Sequence, residues 1–216
     1  MCHRHPRPDA SAQRVARTEA QLIDSARALF LEKGYVATTL AEVARRAGLA
    51  PRTVYVRFAT KATLFRRVVD RALVGDAEPI DVAHRARTKD AMSAPTLAAR
   101  IEALADVSVG IASRAGTLFG VAAQAEGLEP ELAETFQAGR RATAELCQTL
   151  CDTAATDGLM SARLDPVQLA TVTDLLICAD TTVSLRRTQN WSASTYRALI
   201  IDTLDALTRQ QARSRA

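Results

Sequence analysis

Residues 39–61, TLAEVARRAGLAPRTVYVRFATK, bring together side chains that could bind nucleic acid. The guanidinium of Arg52 can donate two parallel hydrogen bonds to the edge of guanine, and hydroxyl groups and further arginines can bind phosphate oxygens. If the residues after Pro51 form a helix, Val54 faces inward together with Phe58. The residues on the opposite side are then Arg52, Thr53, Val56 and Arg57. We expect that side to face the major groove of DNA.

The flanking residues can hold such a helix in place. Thr39 and Glu42 form a capping box, so a first helix is expected to start near Leu40. Gly48 can adopt the left-handed conformation that ends this helix, and Pro51 suits the first turn of the next one. A helix, a turn of about three or four residues and a second helix are the arrangement of a helix-turn-helix.

Several residues of this region match the pattern of a known family, in order and in register. They are Phe30, Gly34-Tyr35, Thr38-Thr39, Val43-Ala44, Ala47-Gly48, Thr53-Val54-Tyr55, Phe58 and Lys61. In this pattern the chain resembles the TetR family of transcriptional regulators. Two residues depart from it, because Ala50 replaces a serine that usually caps the second helix and Arg52 stands where a small residue is common. Losing a cap costs about 1 kcal/mol, and the added guanidinium predicts a different operator.

The resemblance implies how the region would meet DNA. Arg14 and Arg17 lie where the first helix begins, and would contact a minor groove or phosphates, although both could also be ordinary exposed arginines. Tyr55 would direct its hydroxyl to a phosphate. Lys61 would add charge beside the free N–H groups of a later helix, where a phosphate can bind. The expected DNA contacts are Arg14, Arg17, Thr39, Arg52, Thr53, Tyr55, Val56, Arg57 and Lys61.

Charge is distributed unevenly along the chain. Residues 1–74 contain 14 Lys+Arg and 6 Asp+Glu, a net charge of +8, whereas residues 75–216 contain 14 and 18, a net charge of −4, and the two sum to +4. Concentrated positive charge is the electrostatic footprint of phosphate binding and predicts strong salt dependence. Taken alone it could equally be a solvated face, but it coincides with the helix-turn-helix.

The whole chain has the pattern of an all-α protein. Apolar residues recur at spacings of three and four, without alternating β-branched runs. We expect a DNA-binding domain over residues 1–74, with a flexible arm to about residue 13 and a first helix over residues 16–33, and a larger helical domain over residues 75–216. Residues 75–95 predict a long loop. Further helices, about nine in all, are predicted over residues 97–114, 118–126, 130–156, 165–187 and 192–210.

The compartment is also predicted by composition. No stretch reaches about 18 uncharged apolar residues, and residues 1–14 lack the apolar core of a signal peptide. The four cysteines have no framework spacing. We therefore expect a cytoplasmic protein without a membrane partner.

The last two predicted helices carry apolar stripes at the spacing of a packing seam. Their members are Leu169, Val172, Leu176, Val183, Tyr196, Leu199, Ile200, Thr203, Leu204 and Leu207, with Ile177 beside them. Two such helices per chain could form a four-helix interface in a homodimer, as the resemblance implies, or could cover only the core of their own chain.

The second domain is expected to hold an effector pocket, since ligands bind between the helices of bundles. The candidates for its lining are Phe119, Phe136, Met160, Cys178 and Asp180. Each of them could instead be an ordinary core residue. The chemical identity of the effector does not follow from these residues.

Three other chemistries can be weighed from the residues. Cys147 and Cys151 are four apart and could form a redox switch, but buried cysteines are more often small hydrophobic residues. Cys2, His3 and His5 are too few for a complete metal site, so no metal or cofactor is expected. The chain has no glycine-rich phosphate loop or nucleophile elbow, so we do not expect an enzyme.

These patterns and the resemblance lead to one preferred hypothesis. A homodimeric repressor would bind a palindromic operator in double-stranded DNA and leave it when a small-molecule effector binds. The alternative is a helical DNA-bound adaptor whose C-terminal domain binds a protein partner instead of a metabolite.

Overall fold

The computed structural model describes residues 10–75, 82–161 and 165–213, and within these ranges every regular element is a helix or a helical turn. The prediction of an all-α fold is therefore confirmed. The chain divides into two compact units, Met1–Asp70 and Arg71–Ala216. Among the described helices, none combines the length and the apolar character that crossing a membrane requires.

Four helices make up the N-terminal region. They are α1 (Ala10–Ala37), α2 (Leu40–Arg46), α3 (Pro51–Arg57) and α4 (Lys61–Val74). Helix α1 begins six residues before the predicted start at Ala16, so the last residues of the predicted arm are helical and its first nine lie outside the described residues. Gly34 interrupts α1 with φ 76° and ψ −179°, which is the predicted end of the first helix.

An aromatic cluster forms the centre of the first unit. The rings of Phe30 and Phe65 pack edge to face with centroids 4.8 Å apart, and Tyr35 packs against Phe65 at 5.3 Å. All three side chains are almost completely buried. Because Phe30 and Tyr35 lie on either side of the break at Gly34, the cluster joins both parts of α1 to α4.

The helix-turn-helix has the predicted local structure. The Thr39 hydroxyl accepts a hydrogen bond from the Glu42 N–H at 3.2 Å and begins α2. Gly48 has φ 68°, and the Leu49 N–H donates to the Ala44 carbonyl at 2.9 Å, which closes α2. Ala50 precedes α3 without a side-chain cap, as its side chain requires.

Six helices lie in the second unit. They are α5 (Ala86–Met92), α6 (Leu97–Glu126), α7 (Pro130–Thr156), α8 (Pro166–Ile177), α9 (Ala179–Ser184) and α10 (Ala193–Arg213). A 3-10 turn, Val82–His84, precedes α5, and a π-helical turn, Leu185–Gln189, follows α9. Side chains of α6, α7, α8 and α10 form one continuous apolar core.

Two predictions for this unit were wrong. The predicted loop over residues 75–95 contains α5, because Ala91 and Thr88 are buried and the Thr88 hydroxyl donates to the Val82 carbonyl at 2.6 Å. The predicted helices 97–114 and 118–126 are one helix, α6. Gly116 lies inside α6. A methyl group at this position would be 3.1 Å from the Arg186 Cδ atom, so the glycine leaves room for a neighbouring segment.

The predicted helix over residues 165–187 also differs, because it breaks at Cys178. Cys178 has an extended backbone, φ −63° and ψ 157°, and separates α8 from α9. At the break, carbonyl groups at the end of α8 lose their regular helical hydrogen bonds, and side-chain hydroxyls bind them instead. Thr181 donates to the Leu175 carbonyl at 2.5 Å, and Tyr196 of α10 donates to the Leu176 carbonyl at 2.9 Å.

The Tyr196 hydroxyl should therefore stabilise the break. We expect Tyr196→Phe to lower the free energy of unfolding by about 1–2 kcal/mol, since a partly buried carbonyl loses its donor while the ring remains. Urea unfolding followed by circular dichroism measures this. Tyr55→Phe, the same change at an exposed ring, is the control and should leave stability unchanged. Equal stabilities for both variants would contradict the role of the Tyr196 hydroxyl.

Candidate nucleic-acid interface

Helix α3 separates a buried side from an exposed side. Val54 is fully buried, and Phe58, which ends the helix, is also buried. Val56 and Tyr55 are 72% and 54% exposed, although both are large hydrophobic side chains. Arg52 and Arg57 are exposed and Thr53 is partly exposed. The sequence prediction that α3 presents these side chains outward agrees with their burial.

Two carboxylates of the first unit, Glu42 and Glu32, pair with basic groups on other helices. Glu42 binds Lys33 at 2.6 Å, and Glu32 makes two hydrogen bonds of 2.6 Å to Arg46. The pKa of the Glu42 carboxyl is lowered, chiefly by the hydrogen bond from Lys33, and the pKa of Glu32 by the hydrogen bond from Arg46. Both acids are therefore ionised at neutral pH and neutralise their partners.

The arginines of α3 have no such neutralisation. Within the described part of the chain, neither Arg52 nor Arg57 has a carboxylate within ion-pair distance. Their charges are consequently available to a phosphate or a base edge. An exposed short helix with two uncompensated guanidinium groups can bind a polyanion.

Lys61 has a structural role that the sequence did not indicate. It begins α4, but its ammonium donates to the Tyr35 carbonyl at 2.9 Å and to the Val36 carbonyl at 3.4 Å. It also lies 4.3 Å from the centre of the Tyr35 ring, a cation–π distance. Lys61 thus satisfies carbonyls near the end of α1, and its predicted contact with phosphate stays a prediction.

The remaining predicted DNA contacts are on the surface. Thr39 is exposed, and its hydroxyl already caps α2. Arg14 and Arg17 are exposed on the early turns of α1, not on an arm that precedes the helix. Their contacts with DNA stay predictions.

The five predicted effector-pocket residues are dispersed over the second unit. Phe119 lies on α6, Phe136 on α7 and Met160 after α7, and each is partly buried. Cys178 is at the helix break. Asp180 is 63% exposed and bound to Arg140, which also binds Glu126.

A different set of residues surrounds a cleft between α6, α9 and α10, called here the α6–α10 cleft. Its lining consists of Val109, Ala112, Ser113, Thr182, Leu185, Arg186, Trp191, Ser192, Ala193 and Tyr196. None of the five predicted pocket residues belongs to it. The lining includes Thr182 of α9 and Leu185 and Arg186 of the π-helical turn. Neither this turn nor the break at Cys178 has a signal in the apolar periodicity.

The predicted dimer stripes contain core residues of the single chain. Leu169, Tyr196, Ile200 and Leu204 are at most 6% exposed and belong to the core of the second unit, so they are not available to a partner. The other predicted members, Val172, Leu176, Val183, Leu199, Thr203 and Leu207, are partly exposed.

Val167 and Leu175 of α8 were not predicted, yet they are 59% and 60% exposed. They are eight residues apart and lie on one outward face with Thr171.

Cys147 and Cys151 behave as apolar core residues. Their exposed fractions are 1% and 0%. Burial raises the pKa of the Cys147 thiol well above its ordinary value and that of Cys151 to about 12. Thiolates are therefore scarce at neutral pH, and the redox-switch alternative has no support from this geometry. Cys2, His3 and His5, which the sequence analysis judged too few for a metal site, lie outside the described residues.

Sequence comparison identifies the domain that contains α3. The family model for bacterial regulatory proteins of the tetR family matches residues 22–68. The HTH-type transcriptional repressor BdcR of Escherichia coli (strain K12) is 38% identical over 60 residues, which are 28% of this chain and 30% of that repressor. In this N-terminal segment the chain is similar to the TetR family. The chain therefore spans less than a third of the length of this repressor.

Solved structures extend the likeness to the fold of most of the chain. A transcriptional regulator from Pseudomonas aeruginosa PAO1 has a TM-score of 0.70 at 14% identity, covering 93% of this chain and 95% of its own. The SmeT–triclosan complex has a TM-score of 0.68 at 19% identity, covering 88% and 90%. At these identities the likeness shows a shared fold.

The outward position of Arg52 generates a prediction about base preference. We expect Arg52→Ala to weaken binding to the preferred duplex by about 1–3 kcal/mol and to relax the preference at one position of each half-site. Anisotropy titrations with the preferred duplex and its single-base variants measure both effects.

Arg45→Ala is the matched control, because Arg45 is an exposed arginine on α2 and its side chain is 80% exposed. This variant should keep the base preference. Equal losses on preferred and random duplexes for Arg52→Ala would show that Arg52 contacts only the backbone.

Proposed function

We propose that this chain is a sequence-specific DNA-binding transcriptional repressor that a small-molecule effector releases from a palindromic operator. The observation that carries the proposal is α3, an exposed helix with two uncompensated arginines, inside a domain that matches the TetR family. Arg52 would read a base edge, and Arg57 and Tyr55 would bind phosphates or sugars. The first unit would thus supply DNA binding, and the second would supply dimerisation and effector binding.

Symmetric DNA recognition requires two copies of α3. Half-sites one turn apart lie about 34–36 Å from each other, and a homodimer can hold two recognition helices at that separation. The outward face of α8, with Val167, Thr171 and Leu175, is apolar or uncharged, as dimer interfaces commonly are. On α10, Ala198 and Ala206 are exposed and small, which would allow a close approach of helices.

Control by an effector would be a population shift. The dimer would have two states, one whose α3 helices are spaced for the half-sites and one whose α3 helices are not. An effector that binds the second state more tightly lowers the affinity for DNA, to an extent set by the difference between its affinities for the two states. The SmeT–triclosan complex supports this part, because it is a structural relative with a small molecule bound. The alternative, a DNA-bound adaptor whose second unit binds a protein, would use the exposed faces of α8 and α10 for that partner. The family consists of regulators, which favours binding over catalysis.

The proposed dimer surface can be tested by one substitution. We expect Leu175→Glu to raise the dimer dissociation constant by about tenfold or more, because it would bury an unpaired carboxylate. Light scattering after size exclusion measures the mass over a range of concentrations. Leu128→Glu is the control, since Leu128 is 58% exposed beyond the end of α6. If both variants dimerise like the parent, α8 does not form the interface.

The experiment that tests the function is binding of the purified protein to the intergenic DNA beside its own gene. Fluorescence anisotropy against a scrambled duplex, at several salt concentrations, gives preference, salt slope and stoichiometry. We expect a preference for the intergenic duplex with two or four chains per site. A folded protein without preference for any segment of its genome, at any salt concentration, would refute the proposal.

A further inference from the structure

The α6–α10 cleft lies entirely within the second unit and has a volume of about 40 Å³. A space of this size holds a group of a few heavy atoms, because one water needs about 10–15 Å³. Its wall combines apolar side chains, such as Val109 and Leu185, with the hydroxyls of Ser113, Thr182, Ser192 and Tyr196. The cleft therefore suits one small polar group attached to a larger apolar body that extends outside.

The charged groups at the cleft favour an anion. Arg186 is the charged residue of the lining, and none of the ten described lining residues is acidic. The Arg186 side chain packs against α6, because its Cδ atom would be 3.1 Å from a methyl group on Gly116. Its Nη2 atom is 3.4 Å from the Thr117 hydroxyl. Within the described residues, no carboxylate pairs with it. Helix α10 also begins at the cleft, and the N–H groups of its first turn attract negative charge.

The backbone brings Arg186 and Trp191 to the same cleft. Leu185–Gln189 is a π-helical turn, a rare conformation that is frequent at functional sites. Asn190 then adopts the left-handed conformation with φ 49°, and Ser192 caps α10 by accepting from the Thr195 N–H at 3.1 Å. If α9 continued as a regular helix, the chain would not change direction between Arg186 and Trp191.

We propose that the α6–α10 cleft binds the carboxylate of a small organic acid and is the effector site of this chain, an inference that rests on the proposed function. The Arg186 guanidinium pairs with the carboxylate, and the hydroxyls of Ser113 and Ser192 donate hydrogen bonds to it. The Trp191 indole covers the apolar body of the acid at the mouth of the cleft.

An acid in this cleft would act on the break between α8 and α9. Thr182 and Tyr196 line the cleft, and their hydroxyl oxygens are 3.4 Å apart. The Tyr196 hydroxyl also donates to the Leu176 carbonyl, at the end of α8. A carboxylate that accepts from Tyr196 competes with this carbonyl and changes how α8 ends. Helix α8 carries the proposed dimer surface, so the binding of the acid is linked to the arrangement of the dimer.

Trp191 provides a direct measurement, because it is the only tryptophan of the chain. We propose to titrate the full-length protein with benzoate and with butyrate, following tryptophan fluorescence, and to repeat the titration with benzamide, the uncharged counterpart of benzoate. The expected result is a saturable change with at least one acid and at least tenfold weaker binding of benzamide. No saturable change with either acid, or equal affinities for benzoate and benzamide, would overturn the proposal.

Two arginine variants separate the site from general charge effects. Arg186→Gln is expected to weaken binding of the acid at least tenfold, whereas Arg187→Gln, the exposed neighbour outside the lining, should bind like the parent. Gly116→Ala, which displaces the Arg186 side chain without removing its charge, should also weaken binding. Equal affinities of the parent and Arg186→Gln would refute the assignment.

The same proteins distinguish failure of this inference from failure of the proposed function. Added acid should weaken binding to the preferred DNA duplex for the parent but not for Arg186→Gln. If the protein binds DNA specifically but no acid alters this binding, the proposal of a repressor stands and the proposal of an effector site is wrong. If the protein binds the acid at Trp191 but does not bind DNA specifically, the cleft is a carboxylate-binding site and the proposal of a repressor is wrong.

Discussion

Helix α3, the proposed recognition helix, depends on the core beneath it. Helix α3 has seven residues, and isolated helices shorter than about 12–15 residues are marginal in water. It has no side-chain cap and buries one helical residue, Val54. Its conformation must therefore be supported by the rest of the unit, where Phe30, Tyr35 and Phe65 pack together and Lys61 binds the carbonyl of Tyr35. Since so little of α3 is buried, most of its side chains remain free to contact DNA.

Local signals predicted the first unit well, because its helix ends are determined by adjacent residues. The Thr39 cap, the left-handed Gly48 and the proline that begins α3 all occur in the structure. The family resemblance agrees with the tetR family match over residues 22–68. The role of Lys61 could not be predicted in the same way. Its acceptor carbonyls are 26 and 25 residues away, and no local pattern indicates them.

The second unit shows why periodicity alone is insufficient. Apolar spacing located α7, α8 and α10, but it could not separate residues that face the core from residues that face outward. Leu169 and Leu175 are on one helix, yet the first is buried and the second is 60% exposed. At the break at Cys178, the hydroxyls of Thr181 and Tyr196 bind the carbonyls of α8. Within α6, Gly116 lies against Arg186 from another segment. Residues from separate segments also line the α6–α10 cleft, which explains why its residues were not among the predicted pocket residues.

Amide hydrogen exchange of the full-length protein, free and bound to a duplex selected from a random pool, tests most directly that α3 is the DNA-binding element. Backbone amides report local opening and its suppression by a ligand. We expect DNA to increase protection in residues 51–58, with no comparable change in α7. If DNA binds but protection increases only outside the first unit, with α3 unchanged, α3 is not the DNA-binding element.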